Sequence, residues 1–223
     1  MVGVKNEKVV LIYSGGVDST TLMYKLINDG YKVYALTFDY GQKHKKEIEC
    51  AKNITDNEYI PHEIVDISSI SKILNSALTT ETTNIPNGHY TDDVMKKTIV
   101  PNRNAIMLSI AFGFAESIGA NIVAYAAHAG DHPIYPDCRP DFVKKFIEMI
   151  KSSTRNKNFE IYAPFLYLKK DDIVKLGDKL GINFKNTWSC YKGNEKHCGV
   201  CGTCNERKEA FELANVEDVE YEI

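Results

Sequence analysis

The sequence has no apolar run long enough to cross a membrane, because none approaches the roughly 18 residues that a spanning helix needs. The first residues, Met1 to Glu7, also lack the charged and apolar regions of a secretory signal peptide. These two absences favour a cytoplasmic protein without a membrane partner. In that compartment the six cysteines are more consistent with metal ligands or reactive thiols than with disulfides.

The sequence also lacks an excess of basic charge. Its 27 Lys and Arg residues against 30 Asp and Glu residues give a net charge of −3, so direct binding of nucleic acid is not expected. The nearest approach to a basic cluster is Lys43, Lys45 and Lys46, which we interpret as the solvated start of a helix. There is no internal repeat, and 223 residues suit one α/β domain with a small appendage.

Strand-like segments alternate with segments of helical spacing along most of the chain. The predicted strands are 9–13, 33–38, 62–65 and 122–126, and the predicted helices are 19–28, 43–53, 104–118, 141–150 and 171–180. This alternation predicts an α/β fold with a doubly wound, mostly parallel sheet between helices. Residues 68–97 are rich in Thr, Ser and Asn, which predicts a partly looped segment over a site.

The string SGGVDS at residues 14–19 follows the first predicted strand, at the sheet edge where ligands bind. Adjacent Gly15 and Gly16 permit a tight turn with exposed N–H groups, and the next helix directs its positive end to the same side. The hydroxyls of Ser14 and Ser19 add donors, while a carboxylate beside phosphates, here Asp18, indicates a divalent cation. The loop therefore predicts a Mg²⁺ nucleotide site; the alternative is an ordinary turn whose side chains cap the helix.

Two common phosphate-binding motifs do not fit this string. The kinase-type loop requires a lysine after the glycines, and the dinucleotide fingerprint requires glycines that are not adjacent. The string instead resembles the pyrophosphate loop of the ATP pyrophosphatase superfamily, as does LTFDYGQKH at residues 36–44. The resemblance implies an adenine nucleotide alpha-hydrolase-like fold in which ATP loses pyrophosphate and AMP is transferred to a substrate oxygen. The candidate ATP-binding residues are Tyr13, Ser14, Gly15, Gly16, Val17, Asp18, Ser19, Thr20, Thr21 and Phe38.

Four cysteines near the C-terminus, Cys190, Cys198, Cys201 and Cys204, have the spacing C-x₇-C-x₂-C-x₂-C. Overlapping C-x₂-C turns let the thiolates converge on one ion, and a closed four-cysteine Zn²⁺ site is structural rather than catalytic. Such a site would fix a tail that is too poor in apolar residues to pack alone. The alternatives are an iron–sulfur cluster, His197 in place of one cysteine, or thiols without a ligand.

Three further strings narrow the resemblance: VPNRN at 100–104, AHAGDHPIYPDCRPDF at 127–142 and TWSCY at 187–191. With the glycine loop and the cysteines, they are similar in matching order to the 7-cyano-7-deazaguanine synthase family. The resemblance implies that ATP activates the carboxylate of 7-carboxy-7-deazaguanine as an acyl-adenylate, that ammonia forms the amide, and that a second ATP converts the amide into the nitrile. The product would serve queuosine or archaeosine biosynthesis, and the family also suggests a homodimer.

This chemistry needs positive charge around the phosphates. Arg103 precedes one predicted helix and Lys169 another, and we predict that both act with Asp18 and Ser19 in catalysis. A surface ion pair for Arg103 and a solvated side chain for Lys169 are the alternatives. We expect residues 1–186 to form the ATP-binding domain and residues 187–223 to form the zinc-binding segment with a C-terminal helix.

The segment YPDCRPDF is stiffened by a proline on each side. We predict that Asp137 accepts hydrogen bonds from a purine-like edge, that Arg139 meets the substrate carboxylate, and that Tyr135 stacks on the base. Roles in turns or structural ion pairs are the alternatives. One position departs from the family pattern: Gly130 stands where many members carry an acidic residue before Asp131.

Two other functions are compatible with the loop. A tRNA-modifying sulfurtransferase of the same superfamily would also adenylate its substrate, but it would need a nucleophilic thiol and an RNA-binding surface that the net charge does not favour. A regulator that senses ATP without turnover would explain the loop but not the segment at residues 135–142.

Overall fold

The computed structural model describes residues 6–74, 76–79, 85, 87–88, 95–192 and 195–222. Within these residues the strands are β1 (Lys8–Ile12), β2 (Lys32–Asp39), β3 (His62–Asp66), β4 (Ile122–Ala124) and β5 (Glu160–Tyr162). The helices described are α1 (Val17–Asn28), α2 (Lys46–Asn57), α3 (Arg103–Ile118), α4 (Pro140–Ser153), α5 (Lys170–Lys179) and α6 (Gly202–Ala214). No helix in the described part of the chain is long and apolar enough to cross a membrane.

The strands form one parallel sheet in the order β3-β2-β1-β4-β5. Alternate residues of β1 face opposite sides: Val10 packs with Leu108 of α3, while Val9 and Leu11 pack with Leu22 of α1. Both faces of the sheet are therefore covered, and the predicted doubly wound fold is confirmed. The strand order reverses at β1 and β4, so their carboxyl ends open into the crevice where ligands bind in such sheets.

The predicted element boundaries differ from the structure where side chains turn inward. Helix α2 begins at Lys46 and not at residue 43, because the chain turns at Gly41, whose φ is +79°, and then buries Gln42 and His44. Helix α1 begins at Val17, two residues before its predicted start. Strand β5 (Glu160-Ile161-Tyr162) lies outside the predicted strands, because it lacks the continuous apolar run that indicates β4.

The predicted loop at residues 68–97 lies partly outside the described residues. The described part contains two 3₁₀ turns, Ser68–Lys72 and Lys96–Thr98. Ala77 N donates to Lys97 O over 2.8 Å, which ties the two ends of the segment together.

The C-terminal part of the chain packs against the main sheet domain. Phe211 of α6 shares a hydrophobic cluster with Val17 of α1 and Val174 of α5. Arg207, also on α6, is 1% exposed, and its guanidinium donates to Phe184 O, Thr187 O and Asp218 Oδ1 over 2.8–3.3 Å. Because a buried guanidinium is stable only when its donors are paired, these bonds hold the segment after α5 in one arrangement.

Candidate active site

A cavity of about 250 Å³ lies at the carboxyl ends of β1, β2 and β4. Its wall contains Ser14 and Asp18 from the glycine loop, Phe38 at the end of β2, and His128 after β4. Four charged residues of the wall come from four helices: Glu47 of α2, Arg103 of α3, Lys170 of α5 and Glu206 of α6. The sheet topology thus brings together side chains that are far apart in sequence.

The glycine loop forms one wall of this cavity. Ser14 Oγ lies 3.0 Å from Ser19 Oγ and accepts a hydrogen bond from Gly16 N at 3.3 Å. Among the described residues no side chain caps the N-terminus of α1, although Asp18 stands in its first turn. The first N–H groups of α1 are therefore available to an anionic ligand, as the loop sequence predicts.

Gly15 faces away from this wall and packs against α2. Its φ is +76°, and a Cβ there would lie 2.6 Å from Glu47 O and 2.7 Å from Ala51 N. Its carbonyl accepts from Trp188 N at 3.0 Å. The first glycine thus lets the loop meet α2 and the C-terminal segment, whereas Gly16 lines the cavity.

A lysine side chain that is 16% exposed lies between two carboxylates at the loop. Lys170 Nζ is 2.5 Å from Asp18 Oδ2 and 3.6 Å from Glu206 Oε2. Burial alone would raise the pKa of Asp18, but the charge of Lys170 and then that of His128 lower it overall. Burial raises the pKa of Glu206 despite Lys170. Asp18 Oδ1 is buried and accepts no hydrogen bond from the described residues.

The lysine in the cavity is Lys170 and not the predicted Lys169. Lys169 is the residue before α5, and its side chain is exposed outside the cavity. Successive side chains at the start of a helix point in different directions, so Lys169 faces solvent while Lys170 faces the cavity.

A second part of the cavity is aromatic. Arg103 begins α3, and its guanidinium carbon is 5.6 Å from the ring centroid of Tyr40. Tyr40 and Tyr135 are buried, and Tyr135 Oη lies 3.2 Å from Thr98 Oγ1. Arg103 and Tyr135 therefore both lie where the sequence predicts ligand contacts, although these roles remain predictions.

Two residues predicted to bind substrate lie outside the cavity wall. Asp137 Oδ2 accepts from Asn104 N at 2.9 Å and so satisfies the first turn of α3. Arg139 is exposed, and its Nε donates to His132 O over 2.8 Å. Both side chains therefore bond to backbone atoms of neighbouring turns, and their predicted roles in substrate binding stay predictions.

Two threonines of the predicted ATP set also face the protein interior. Thr20 Oγ1 lies 3.2 Å from Tyr13 Oη, and Thr21 is fully buried beside Gly177 of α5. Neither lines the cavity, whereas Tyr13 and Val17 do. The helix that follows the loop thus uses its hydroxyl side chains for packing as well as for the site.

The four predicted cysteine ligands converge. Their sulfur atoms all lie within 4.8 Å of one another, and all four residues are buried. Backbone N–H groups point at the sulfurs: Cys198 N and Lys192 N each lie 3.4 Å from Cys190 Sγ. A set of four sulfur donors with such N–H partners fits a tetrahedral Zn²⁺ site.

His197 does not belong to the cysteine cluster. Its Nε2 accepts from Ser189 N at 3.1 Å, and its ring lies 4.2 Å from that of Trp188. Trp188 Nε1 in turn donates to Cys190 O over 2.8 Å. The cysteine cluster is therefore joined, through Trp188 N and Gly15 O, to the glycine loop.

The parallel sheet, the uncapped loop after β1 and the charged crevice define a nucleotide-binding α/β protein of the ATP pyrophosphatase type. The fold is shared by two solved structures. A 4-thiouridine synthetase in complex with RNA and ATP matches 94% of this chain and 50% of its own, with a TM-score of 0.54 and 16% identity. The NMN synthetase of Francisella tularensis matches 96% and 79%, with a TM-score of 0.50 and 15% identity.

The sequence identifies the family within that class. The family model described as "Queuosine biosynthesis protein QueC" matches residues 8–215, and the chain belongs to this family. The 7-cyano-7-deazaguanine synthase of Caldicellulosiruptor bescii is 51% identical over 220 residues, covering 97% of this chain and 98% of the relative. That of Methanoregula boonei is 52% identical over 216 residues, covering 96% and 99%.

Proposed function

We propose that this chain uses ATP to convert 7-carboxy-7-deazaguanine and ammonia into 7-cyano-7-deazaguanine. The observation that carries the proposal is that relatives named for this synthase are about half identical over nearly the whole chain. A carboxylate does not react with ammonia directly, because oxide is a very poor leaving group. Transfer of AMP to the carboxylate provides a good one. Transfer of a second AMP to the amide oxygen lets AMP leave with that oxygen, which gives the nitrile.

The loop wall is suited to the polyphosphate of ATP. We assign the phosphates to Ser14, Gly16, Ser19 and the N-terminus of α1, with Lys170 as a neighbouring cation. The unpaired, buried Oδ1 of Asp18 is what a carboxylate oxygen facing a cation requires, so the residues fit Mg²⁺. When bound there, Mg²⁺ would neutralise phosphate charge. Lys170 would then hold Asp18 in its ionised form and attract the anionic substrate.

The aromatic part of the cavity is suited to a flat heterocycle. Tyr40 and Tyr135 provide ring surfaces, and Arg103 provides a positive charge over the Tyr40 ring. A guanidinium is the usual partner of carboxylates and phosphates, because its planar donors match their oxygens. We therefore assign Arg103 to the anion formed where the substrate carboxylate meets the α-phosphate.

The cysteine cluster supports the site without taking part in the reaction. With four sulfur donors it leaves no open position for a substrate on Zn²⁺. Its role in the proposal is to hold Trp188 and the neighbouring residues against the glycine loop.

A tRNA sulfurtransferase is the less favoured function. The likeness to the 4-thiouridine synthetase is at 16% identity and concerns the fold. The cysteine in the cavity wall outside the cluster is Cys138, and burial raises its pKa, which disfavours the thiolate. The site therefore contains no activated sulfur nucleophile among the described residues.

Product analysis tests the proposal. The protein is incubated with 7-carboxy-7-deazaguanine, ammonium, Mg²⁺ and ATP, and products are identified by mass spectrometry. We expect the nitrile, with AMP and pyrophosphate as the spent nucleotide products. Release of ADP, or no release of pyrophosphate with this acid, would contradict the proposal. Turnover that requires added tRNA would favour the sulfurtransferase.

Two finer points are also part of the proposal. We propose that free ammonia is the nitrogen donor, so ammonium salts alone should support turnover without glutamine. We further propose a homodimer on the family resemblance alone, and light scattering in solution tests it.

A further inference from the structure

The carboxylate of Glu47 in the cavity wall has no role in the proposed ATP and substrate contacts. Glu47, in the first turn of α2, lines the cavity and is 18% exposed. Its Oε1 accepts from Gln42 Nε2 at 2.9 Å. No hydrogen bond from the described residues reaches its Oε2, and His44 Nε2 lies 3.9 Å from that atom. The Oε2 atom of Glu47 is therefore available to a ligand that donates hydrogen bonds.

Gln42 fixes the orientation of Glu47. The Gln42 side chain is 2% exposed, and its Oε1 accepts from Tyr40 N at 2.9 Å while its Nε2 also donates to Phe38 O at 3.3 Å. An amide held at both ends presents its remaining donor in one direction. The open oxygen of Glu47 is thus positioned before any ligand arrives, which lowers the entropic cost of binding.

The ionisable groups of the cavity fall into two sets. One set surrounds Lys170 and Asp18, and we have assigned it to the polyphosphate. The other contains Glu47 and Arg103 with Tyr40, Tyr135 and Tyr191, all of which line the cavity. Gln42 is hydrogen-bonded to both Tyr40 N and Glu47 Oε1, and the guanidinium carbon of Arg103 lies 5.6 Å from the Tyr40 ring centroid, so these groups lie close together. The second set is a carboxylate among aromatic rings.

A carboxylate beside aromatic rings matches a heterocycle with adjacent N–H donors. The deazaguanine ring carries a ring N–H and an exocyclic amino group on the edge opposite the five-membered ring that bears the carboxyl group. The carboxylate oxygens accept from such donors, while tyrosine rings cover the flat faces. The reacting carboxyl group would then point away from Glu47.

We propose that Glu47 binds the N–H and amino edge of the deazaguanine ring and selects substrates that carry the exocyclic amino group. The inference rests on the proposed function and extends it to a specificity-determining residue. It also transfers to Glu47 the role that the sequence predicted for Asp137, whose carboxylate is used at the start of α3.

The test compares two substrates and three proteins. The substrates are 7-carboxy-7-deazaguanine and the analogue that lacks the exocyclic amino group but is otherwise the same acid. The proteins are the wild type, Glu47→Gln and the control Glu49→Gln, which alters an exposed carboxylate two residues further along the same helix. Steady-state kcat and KM are measured for each acid and for ATP.

We expect the wild type to prefer the amino-bearing acid by about 10- to 100-fold in kcat/KM, the size of one or two hydrogen bonds to a charged group. Glu47→Gln should reduce this preference to less than about threefold, mainly by raising KM for the amino-bearing acid, because the change removes a charged acceptor far from the reacting carbon. KM for ATP should not change. Glu49→Gln should behave as the wild type does.

Three outcomes would overturn the inference: equal use of both acids by the wild type, equal losses on both acids in Glu47→Gln, or a change confined to KM for ATP. If Glu47→Gln does not fold, calorimetric binding of the two acids to Glu47→Asp decides the question. That variant keeps the carboxylate, so it should retain a preference for the amino-bearing acid, and no preference would contradict the inference. Failure of the proposed function can be distinguished from failure of the Glu47 inference, because in the first case the wild type would form no nitrile.

Discussion

Lys170 Nζ lies 2.5 Å from Asp18 Oδ2, and this pair joins the start of α5 to the glycine loop. Both side chains line the cavity wall, with exposed fractions of 21% for Asp18 and 16% for Lys170, and they are 152 residues apart in sequence. Because a buried charge without a partner is costly, each residue fixes the other in its ionised form. The pair therefore fixes the position of the Asp18 carboxylate, in its ionised form, at the glycine loop.

Replacing Lys170 and Lys169 in turn should show which of the two lysines acts at the site, since the structure favours Lys170 and the sequence predicted Lys169. Lys170→Met leaves Asp18 unpaired and removes the cation beside the phosphates, so we expect kcat/KM to fall about 10²- to 10³-fold. Lys169→Met alters an exposed side chain, and we expect less than a twofold change. Pyrophosphate release measures both. A large loss in Lys169→Met with a small one in Lys170→Met would restore the original assignment.

Removal of metal should loosen the glycine loop. Trp188 is the single tryptophan of the chain, and it contacts both Cys190 O and Gly15 O through its two N–H groups. We expect one Zn²⁺ per chain, and we expect chelation to shift tryptophan emission to the red and to weaken ATP binding together. Iron in the metal analysis, or loss of metal with unchanged emission, would contradict the structural zinc site.

Loss of the buried guanidinium of α6 should destabilise the protein strongly. Arg207→Met removes the charged partner of Asp218 Oδ1 and the guanidinium donors to Phe184 O and Thr187 O, and we expect the free energy of unfolding to fall by about 3–5 kcal/mol. Urea unfolding measures the change. The exposed pair Lys196–Glu220 provides the control, since Lys196→Met should cost at most about 1 kcal/mol. Similar losses in the two variants would show that Arg207 is not a structural centre.

Substrate binding should depend on pH through Glu47. Burial raises its pKa to about 7, with Asp39 acting in the same direction and Gln42 and Arg103 opposing it. Other ionisable groups of the described residues that line or adjoin this part of the cavity are neutral His44 and the phenols of Tyr40, Tyr135 and Tyr191. Protonation would remove the acceptor, so affinity for the acid should fall as pH decreases below about 7.

Calorimetry without ATP or ammonia isolates this pH effect from the supply of free ammonia. Glu47→Gln cannot titrate at this position, so its affinity should be flat over the same range. A fall of the same size in that variant would assign the pH dependence to another group.

The features predictable from sequence are those with a dense local signal. Alternating patterns gave the parallel sheet, the string at residues 14–19 gave the loop, and the spacing of four cysteines gave the cluster. In each case neighbouring residues along the chain carry the information, because a strand, a tight turn or a metal knuckle is built from them.

The residues that escaped prediction are positioned by tertiary structure. Glu206 and Arg207 lie on a helix that begins inside the cysteine cluster, where ligand spacing hides helical periodicity. Lys170 differs from Lys169 by one position at a helix start. Glu47 is recognisable only once β2, α2 and α3 are assembled. Such residues are recognised by their neighbours in the folded structure, because their neighbours along the chain carry no pattern that indicates the site.

The cavity wall includes Thr203 and Glu206 of the C-terminal segment as well as the glycine loop, so neither part of the chain forms the site alone. A fragment that ends before Trp188 would keep β1 and its loop, but it would lose both this wall and the hydrogen bond from Trp188 N to Gly15 O. Truncation within the C-terminal segment should therefore abolish the cavity even though the loop itself is untouched.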